Sequence, residues 1–222
     1  MLNVNKTGIE DVLIITPNVF EDERGYFFEV FNEKEFNEKT DGKYNFHTRQ
    51  ANESHSVGNV FRGLHFQRGE HAQAKLVRCT RGSVIDFAVD LRDGSPTFGK
   101  FEYCVLTAKN KTQFFIPKGF AHGFLVLSRE ATFNYLCDEG YCKESEGGVK
   151  WDDPAITTVD GKTTLADMVN QLIDTPELDL VVSKKDQEHP LLKDAYAGFN
   201  DKTLPYSYTH NEIEDQGYGI QQ

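Results

Sequence analysis

A chain of 222 residues with 35 acidic against 24 basic side chains carries a net charge of -11, and 38% apolar with 12% aromatic residues is an ordinary globular composition for one domain, with or without extensions. The acidic balance argues against nucleic acid as a partner, because surfaces that track phosphates cluster Lys and Arg. A mean hydropathy of -0.54, with no apolar run near the roughly 18 residues that a bilayer span needs, argues against a membrane protein.

The opening Met1 to Asp11 has no apolar segment of the kind a secretory signal carries, so the cytoplasm is the expected compartment. Cys79, Cys104, Cys137 and Cys142 form no Cys-x-x-Cys pair, which predicts reduced thiols rather than a zinc knuckle or a disulfide framework.

From Gly25 to about Cys137 the chain is a succession of short runs rich in Val, Ile, Phe, Tyr and Thr. Predicted strands fall at Tyr26 to Phe31, Lys75 to Cys79, Val84 to Leu91, Phe101 to Thr107, Gln113 to Ile116, Gly123 to Leu127 and Thr132 to Cys137. In Val84 to Leu91, Ile85, Phe87, Val89 and Leu91 share one face and Asp86, Ala88 and Asp90 the other, a period of two. Turn signals separate the runs at Asp22 to Gly25, Asp93 to Pro96, Lys109-Asn110 and Ser128 to Glu130. Glu33 to Lys39 is the one clear helix in this stretch. An all-β fold follows, a barrel or a double-sheet jelly roll with short peripheral helices.

Past Trp151-Asp152-Asp153-Pro154 the sequence turns polar and helix-compatible. Leu165, Met168, Val169, Leu172 and Ile173 recur at helical spacing and predict an amphipathic helix over Thr164 to Ile173. The stretch from Tyr196 to Gln222 is poor in aliphatics and reads as a surface-laid or partly disordered tail.

One window opposes the acidic trend. Between Arg62 and Arg81 five basic residues (Arg62, Arg68, Lys75, Arg78, Arg81) stand against the single acid Glu70, beside His65 and His71. A small anionic ligand fits such a patch, and so does chance clustering on a solvated strand face. Further on, Pro117-Lys118-Gly119-Phe120-Ala121-His122 resembles the second motif of the cupin superfamily, whose histidine is often a metal ligand. The earlier His-x-His of metal cupins is missing, since Arg62-Gly63-Leu64-His65-Phe66-Gln67 offers one histidine. His65, His71 and His122 together could supply three ligands, but no pair has the spacing of one strand face. His122 is then a ligand-facing group or a histidine satisfied inside a barrel. His65 suits a general base, Arg62 an anion clamp and Lys75 a stabiliser of enolate charge. Tyr135, in phase with Phe133 and Cys137, is a proton donor or a packed aromatic.

Taken in order, Asp22-Glu23-Arg24-Gly25-Tyr26-Phe27-Phe28-Glu29, Gln50-Ala51-Asn52-Glu53-Ser54, Phe61 to Gln67, Ala74 to Arg78, Asp90 to Gly99, Ile116 to Phe124, Trp151 to Pro154 and Ser183-Lys184-Lys185-Asp186 form an ordered set. The set resembles the nucleotide-sugar 3,5-epimerases of the dTDP-4-dehydrorhamnose 3,5-epimerase family, from about Val12 to Leu192. The resemblance implies a cupin-type jelly roll over residues 1–195, with residues 155–180 as an insertion and 196–222 as a tail. It implies a homodimer that needs neither metal nor other cofactor. Its substrate would be a nucleoside-diphosphate 4-keto-6-deoxy sugar, inverted at C3 and C5 through an enolate. By the same resemblance His65 is the base, Asp186 orients it, Tyr135 is the acid on the opposite face and Lys75 holds the enolate oxygen. Arg24, Glu29, Gln50, Ala51, Asn52, Arg62, His122, Glu146 and Lys185 would surround the substrate, Ala51 through its backbone, with Tyr141 stacked on the base. Three alternatives remain at this stage: inversion of a single centre on another nucleotide sugar such as a GDP-linked hexose or heptose, a metal-dependent cupin enzyme, and a non-catalytic sugar-nucleotide binding module.

Overall fold

The computed structural model describes residues 2–173 and 179–195. The predicted tail at 196–222, and residues 174–178 of the predicted insertion, lie outside the described residues. The chain opens with β1 (Leu2–Lys6) and β2 (Leu13–Pro17), an antiparallel pair, then a separate small hairpin of β3 (Phe20–Asp22) and β4 (Gly25–Phe27). Helix α1 (Glu33–Lys39) leads into β5 (Gln50–Val57) and β6 (Val60–Gln67). The body follows as β7 (Lys75–Arg81), β8 (Ser83–Asp90), β9 (Lys100–Thr107), β10 (Gln113–Ile116), β11 (Phe120–Val126) and β12 (Glu130–Cys137). Short elements close the described chain: β13 (Glu146–Gly148), β14 (Thr157–Thr158), α2 (Leu165–Leu172), β15 (Val181–Val182), α3 (Lys184–Gln187) and α4 (Leu192–Ala195).

The strands form two sheets, ordered β1-β2-β10-β7-β12-β5 and β13-β6-β11-β8-β9-β14, with β15 added in parallel to the start of β6. Between them lies a core of Val77, Cys79, Phe114 and Phe133 from the first sheet against Val84, Ala88, Leu106 and Phe124 from the second. Each sheet is also covered on its outside. Phe36 of α1, Tyr44 and Phe46 pack on Leu13, Leu76 and Phe115 of the first sheet. Leu165 and Val169 of α2 pack on Ile85, Phe87, Val89 and Phe101 of the second. This is the cupin-type jelly roll with short peripheral helices that the sequence predicts.

The alternation of β8 has a structural consequence the sequence conceals. Its apolar face meets the outer layer under α2 while Asp86 and Asp90 are 0% exposed, so the polar face points into the protein. Helix α1 has the predicted bounds, because the Asn32 side chain accepts from Glu35 N at its start and Thr40 closes its end. Thr164 and Asp167 close a capping box on α2, while Leu172 stays 45% exposed, off the buried face. The strand expected over Tyr26 to Phe31 is shorter. It stops at Phe27, and the chain then turns along the first sheet, where Gln113 Nε2 donates to Val30 O at 2.7 Å and Phe28 lies under the Arg78 guanidinium.

Candidate active site

Two strands of the second sheet bring the site's histidines together. On β6 and β11 His65 and His122 are direct cross-strand partners. The strands come this close because Gly63, at φ +126°, lies against Gly123; a Cβ on Gly63 would sit 2.6 Å from Gly123 Cα. His65 Nε2 is 2.7 Å from Asp186 Oδ1 of α3. Gly63 N donates to Asp186 Oδ2 at 3.2 Å, and the Ser183 hydroxyl accepts from Asp186 N. Burial works against the Asp186 carboxylate, but the His189 and His65 imidazoles and the Gly63 N–H outweigh it and hold Asp186 well below the usual carboxylate range. The carboxylate is therefore ionised and accepts a hydrogen bond from His65 Nε2–H, leaving Nδ1 as the acceptor on that ring.

Behind this pair lies a second one. His122 Nε2 is 3.0 Å from Asp86 Oδ2, and Asp86 Oδ1 is buried with no hydrogen-bond partner among the described residues. Burial raises the Asp86 pKa and lowers that of His122, each partly opposed by the other's charge. Lys75, paired in register with Cys137 across β7 and β12, shares the inner face of its strand with Val77 and Cys79 and is partly exposed. Burial lowers its pKa, opposed by Cys137, Asp86 and Glu146. His122 stacks at 6.1 Å on Phe133, which contacts Tyr135 at 6.2 Å. Burial raises the Tyr135 phenol above its ordinary value, with Cys137 in the same direction and Arg62 against it.

The rim is one hydrogen-bonded chain. Gln50 Nε2 donates to Asn52 Oδ1 at 2.9 Å, Tyr141 N donates to Gln50 Oε1 at 2.8 Å, and Tyr141 OH donates to Glu146 Oε2 at 3.1 Å. Lys185 Nζ pairs with the same Glu146 oxygen at 2.6 Å. Tyr141 is 55% exposed at this edge, a ring surface open to a planar ligand. Ala51, Asn52 and Tyr135 also line, with Val30, Leu76, Arg78, Gln113 and Leu136, a cavity of about 340 Å³ that lies largely on the outer side of the first sheet, apart from the histidines. Arg62, exposed on β6, donates through Nε to Ser56 Oγ at 3.0 Å and through Nη2 to His55 O.

The structure does not gather everything the sequence grouped. Arg24 sits at the tip of the β3–β4 hairpin, paired with Asp22 at 2.5 Å, and Glu29 accepts from Asn32 Nδ2 nearby; within one chain neither joins the His65 cluster. The basic window also divides. Lys75 lies inside with Val77 and Cys79, whereas Arg78 shares the outer face with Leu76 and Arg81 pairs with Glu130 at 2.6 Å. The trio His65, His71 and His122 is not a ligand set: His71 lies beside Glu70 on a surface turn. Sequence reasoning missed Asp86 and His189. Asp86 was legible as the polar phase of β8; His189, in the loop after α3, carries no pattern at all.

The match to the dTDP-4-dehydrorhamnose 3,5-epimerase family model runs over residues 6–194 and takes in every residue of this cluster. The chain belongs to that family. The dTDP-4-dehydrorhamnose 3,5-epimerase of Salmonella typhimurium is 54% identical over 156 residues, covering 70% of this chain and 84% of the relative. The crystal structure of the Elizabethkingia anophelis epimerase is 50% identical, with a TM-score of 0.73 over 87% of this chain and 97% of that one. A Legionella pneumophila epimerase of the family, solved in complex with dTDP-4-keto-L-rhamnose, is 40% identical, with a TM-score of 0.74 over 87% and 94%.

Proposed function

We propose that this family member converts dTDP-4-dehydro-6-deoxyglucose to dTDP-4-dehydrorhamnose, inverting C3 and C5. The observation that carries the reading is the His65–Asp186 pair at 2.7 Å, a base held in one tautomer by a buried carboxylate. The C4 ketone acidifies the protons on the neighbouring carbons, so His65 Nδ1 takes one and an enolate forms. Lys75 and His122 lie behind the base, where the Lys75 ammonium suits the enolate oxygen and Asp86 holds the His122 ring. Inversion needs a donor on the opposite face, a role that falls to the Tyr135 phenol, held protonated by burial. The ketone itself supplies the acidity, so the steps call for no metal or cofactor.

The nucleotide part fits the rim, with Tyr141 stacking on the base and Arg62, Lys185, Gln50, Asn52, Glu146 and the Ala51 backbone as polar contacts. Arg24 and Glu29 join this list through a second copy of the chain. The hairpin that carries Arg24 leaves Phe20 at 59%, Tyr26 at 59% and Phe27 at 72% exposure, an aromatic surface suited to burial in a homodimer. We take residues 1–195 as the catalytic domain and 155–180 as an insertion, of which Ile156, Leu165 and Val169 pack on the second sheet. The four free thiols suit the cytoplasm.

Tyr135→Phe tests the assignment of faces. Product analysis by NMR is expected to show inversion lost with dTDP binding retained. Full inversion by that variant contradicts the acid role, and turnover of a GDP-linked sugar in place of the dTDP sugar contradicts the substrate.

A further inference from the structure

We propose that His65, Asp186 and His189 form a binding site for a divalent transition-metal ion, zinc above all, and that the bound ion switches off the proton-transfer base. The proposal rests on the reading of His65 as that base. The three side chains offer two imidazole nitrogens and a carboxylate oxygen, all within 4.8 Å of one another. Asp186 Oδ1 is the shared point, 2.7 Å from His65 Nε2 and 3.5 Å from His189 Nε2. A tetrahedral zinc with bonds of roughly 2.0–2.1 Å sets its ligands about 3.3 Å apart, so small adjustments of two rings open the space an ion needs.

His189 is what makes this more than a base and its orienting acid. Its side chain is 10% exposed, and its buried Nε2 stands 3.5 Å from Asp186 Oδ1, a contact that completes no well-formed hydrogen bond. A buried imidazole nitrogen with one long contact is poorly satisfied, and a metal ion between it and the carboxylate would bind both. The ring is also held in place. A Cβ on Gly148 would lie 2.3 Å from the His189 imidazole, so the glycine is the seat for that ring. The two histidine rings meet edge to face at 5.6 Å. Outside the three ligands, Gly63 N–H fixes Asp186 Oδ2 and leaves Oδ1 turned toward both rings, the kind of outer support that orients metal ligands. His65, 34% exposed, leaves the site open toward the substrate side for a water ligand and for entry. Two imidazoles and one carboxylate suit zinc, copper or nickel over magnesium or calcium.

Coordination accounts for the switch with no change in proton count. His65 binds the ion through the Nε2 lone pair, so its ring proton moves from Nε2 to Nδ1. Nδ1 then has no lone pair for a sugar proton, and exchange stops while the nucleotide rim is untouched.

The test uses the full chain stripped with EDTA, with zinc affinity read by competition against a chromophoric chelator. The expected result is one zinc per chain, inhibition of epimerisation that EDTA reverses, and a loss of affinity of at least about tenfold in both His189→Ala and His189→Gln. Cobalt(II) in the unaltered chain is expected to give tetrahedral visible bands that neither variant shows. Equal zinc affinity in all three proteins, or zinc inhibition that survives both substitutions, overturns the proposal. If the variants do not fold, absence of tetrahedral cobalt bands in the unaltered chain overturns it alone. His189-dependent zinc binding by a protein without epimerase activity upholds the metal site and defeats the functional reading instead.

Discussion

Around the site the partners of Asp186 and Glu146 outweigh burial, whereas for Lys75, His122 and Tyr135 the largest influence on protonation is burial. It pushes the Cys137 thiol up to about 11, with Lys75 pulling the other way, and the Cys104 thiol up to about 12. A thiol is neutral below its pKa, so at pH 8 both are protonated and poorly nucleophilic. Iodoacetamide at pH 8 is expected to label Cys142, which is partly exposed, and to spare Cys104 and Cys137 in the folded protein; mass spectrometry that finds either buried thiol modified contradicts this. Within the site, His65 stands out in the sequence by its place beside Arg62 in the basic window, whereas the roles of Asp186 and Tyr135 come from the family resemblance, since periodicity alone reads Tyr135 as a packed aromatic. Asp86 was not read as part of it. An alternating strand announces which residues share a face, but the wetness of that face depends on what packs there, and the polar face of β8 turned out to be the inner one.

At the scale of elements, β6 (Val60–Gln67) escaped the reading although it is rich in apolar residues and carries His65, while several other strands rich in β-branched and aromatic residues were placed well, Gln113–Ile116 to the residue. Edge strand β5, Gln-Ala-Asn-Glu-Ser-His-Ser-Val, was not, because it contains almost no strand-forming residues and is held by eight register pairs to β12. Its identity as a strand is tertiary. The Asp90 to Gly99 motif shows a different division of labour. Arg92, 3% exposed, donates through Nε and Nη2 to Asp90 at 2.9 and 2.8 Å and through Nη1 to Asp11 at 2.7 Å, while the Ser95 and Thr97 hydroxyls donate to Asp90 Oδ2 at 2.6 Å. This segment ties the end of β8 to the loop between β1 and β2, a structural clamp rather than a substrate contact. Arg92→Met leaves Asp90 with the Ser95 and Thr97 hydroxyls and the backbone N–H at position 92, and Asp11 with Lys43 and Tyr44. It is expected to cost about 3 kcal/mol, a fall in Tm of at least about 6 °C, with KM unchanged in the cold. A raised KM at unchanged Tm contradicts the clamp.

For the whole molecule, what the sequence could not reveal is layering. Two sheets with helices on both outer faces make three apolar layers, which bury nearly every residue of β8 and β11. The remaining exposed aromatics are then informative, and those of the β3–β4 hairpin are continuous with Arg24. In solution the protein is expected to have twice its 25.2 kDa chain mass by light scattering. Phe27→Asp is expected to weaken that dimer and lower activity without touching the core, since Phe27 is 72% exposed within the chain. A fully active monomer contradicts the dimeric reading.

The central claim is that one base, oriented by Asp186, exchanges protons on both sides of the C4 ketone. Incubating dTDP-4-dehydro-6-deoxyglucose with the protein in D₂O and locating deuterium by NMR and mass spectrometry tests it most directly. The expected result is label at both C3 and C5 with the unaltered protein and at neither with His65→Ala. Label at one carbon only contradicts the double inversion, and exchange that persists in His65→Ala contradicts the base.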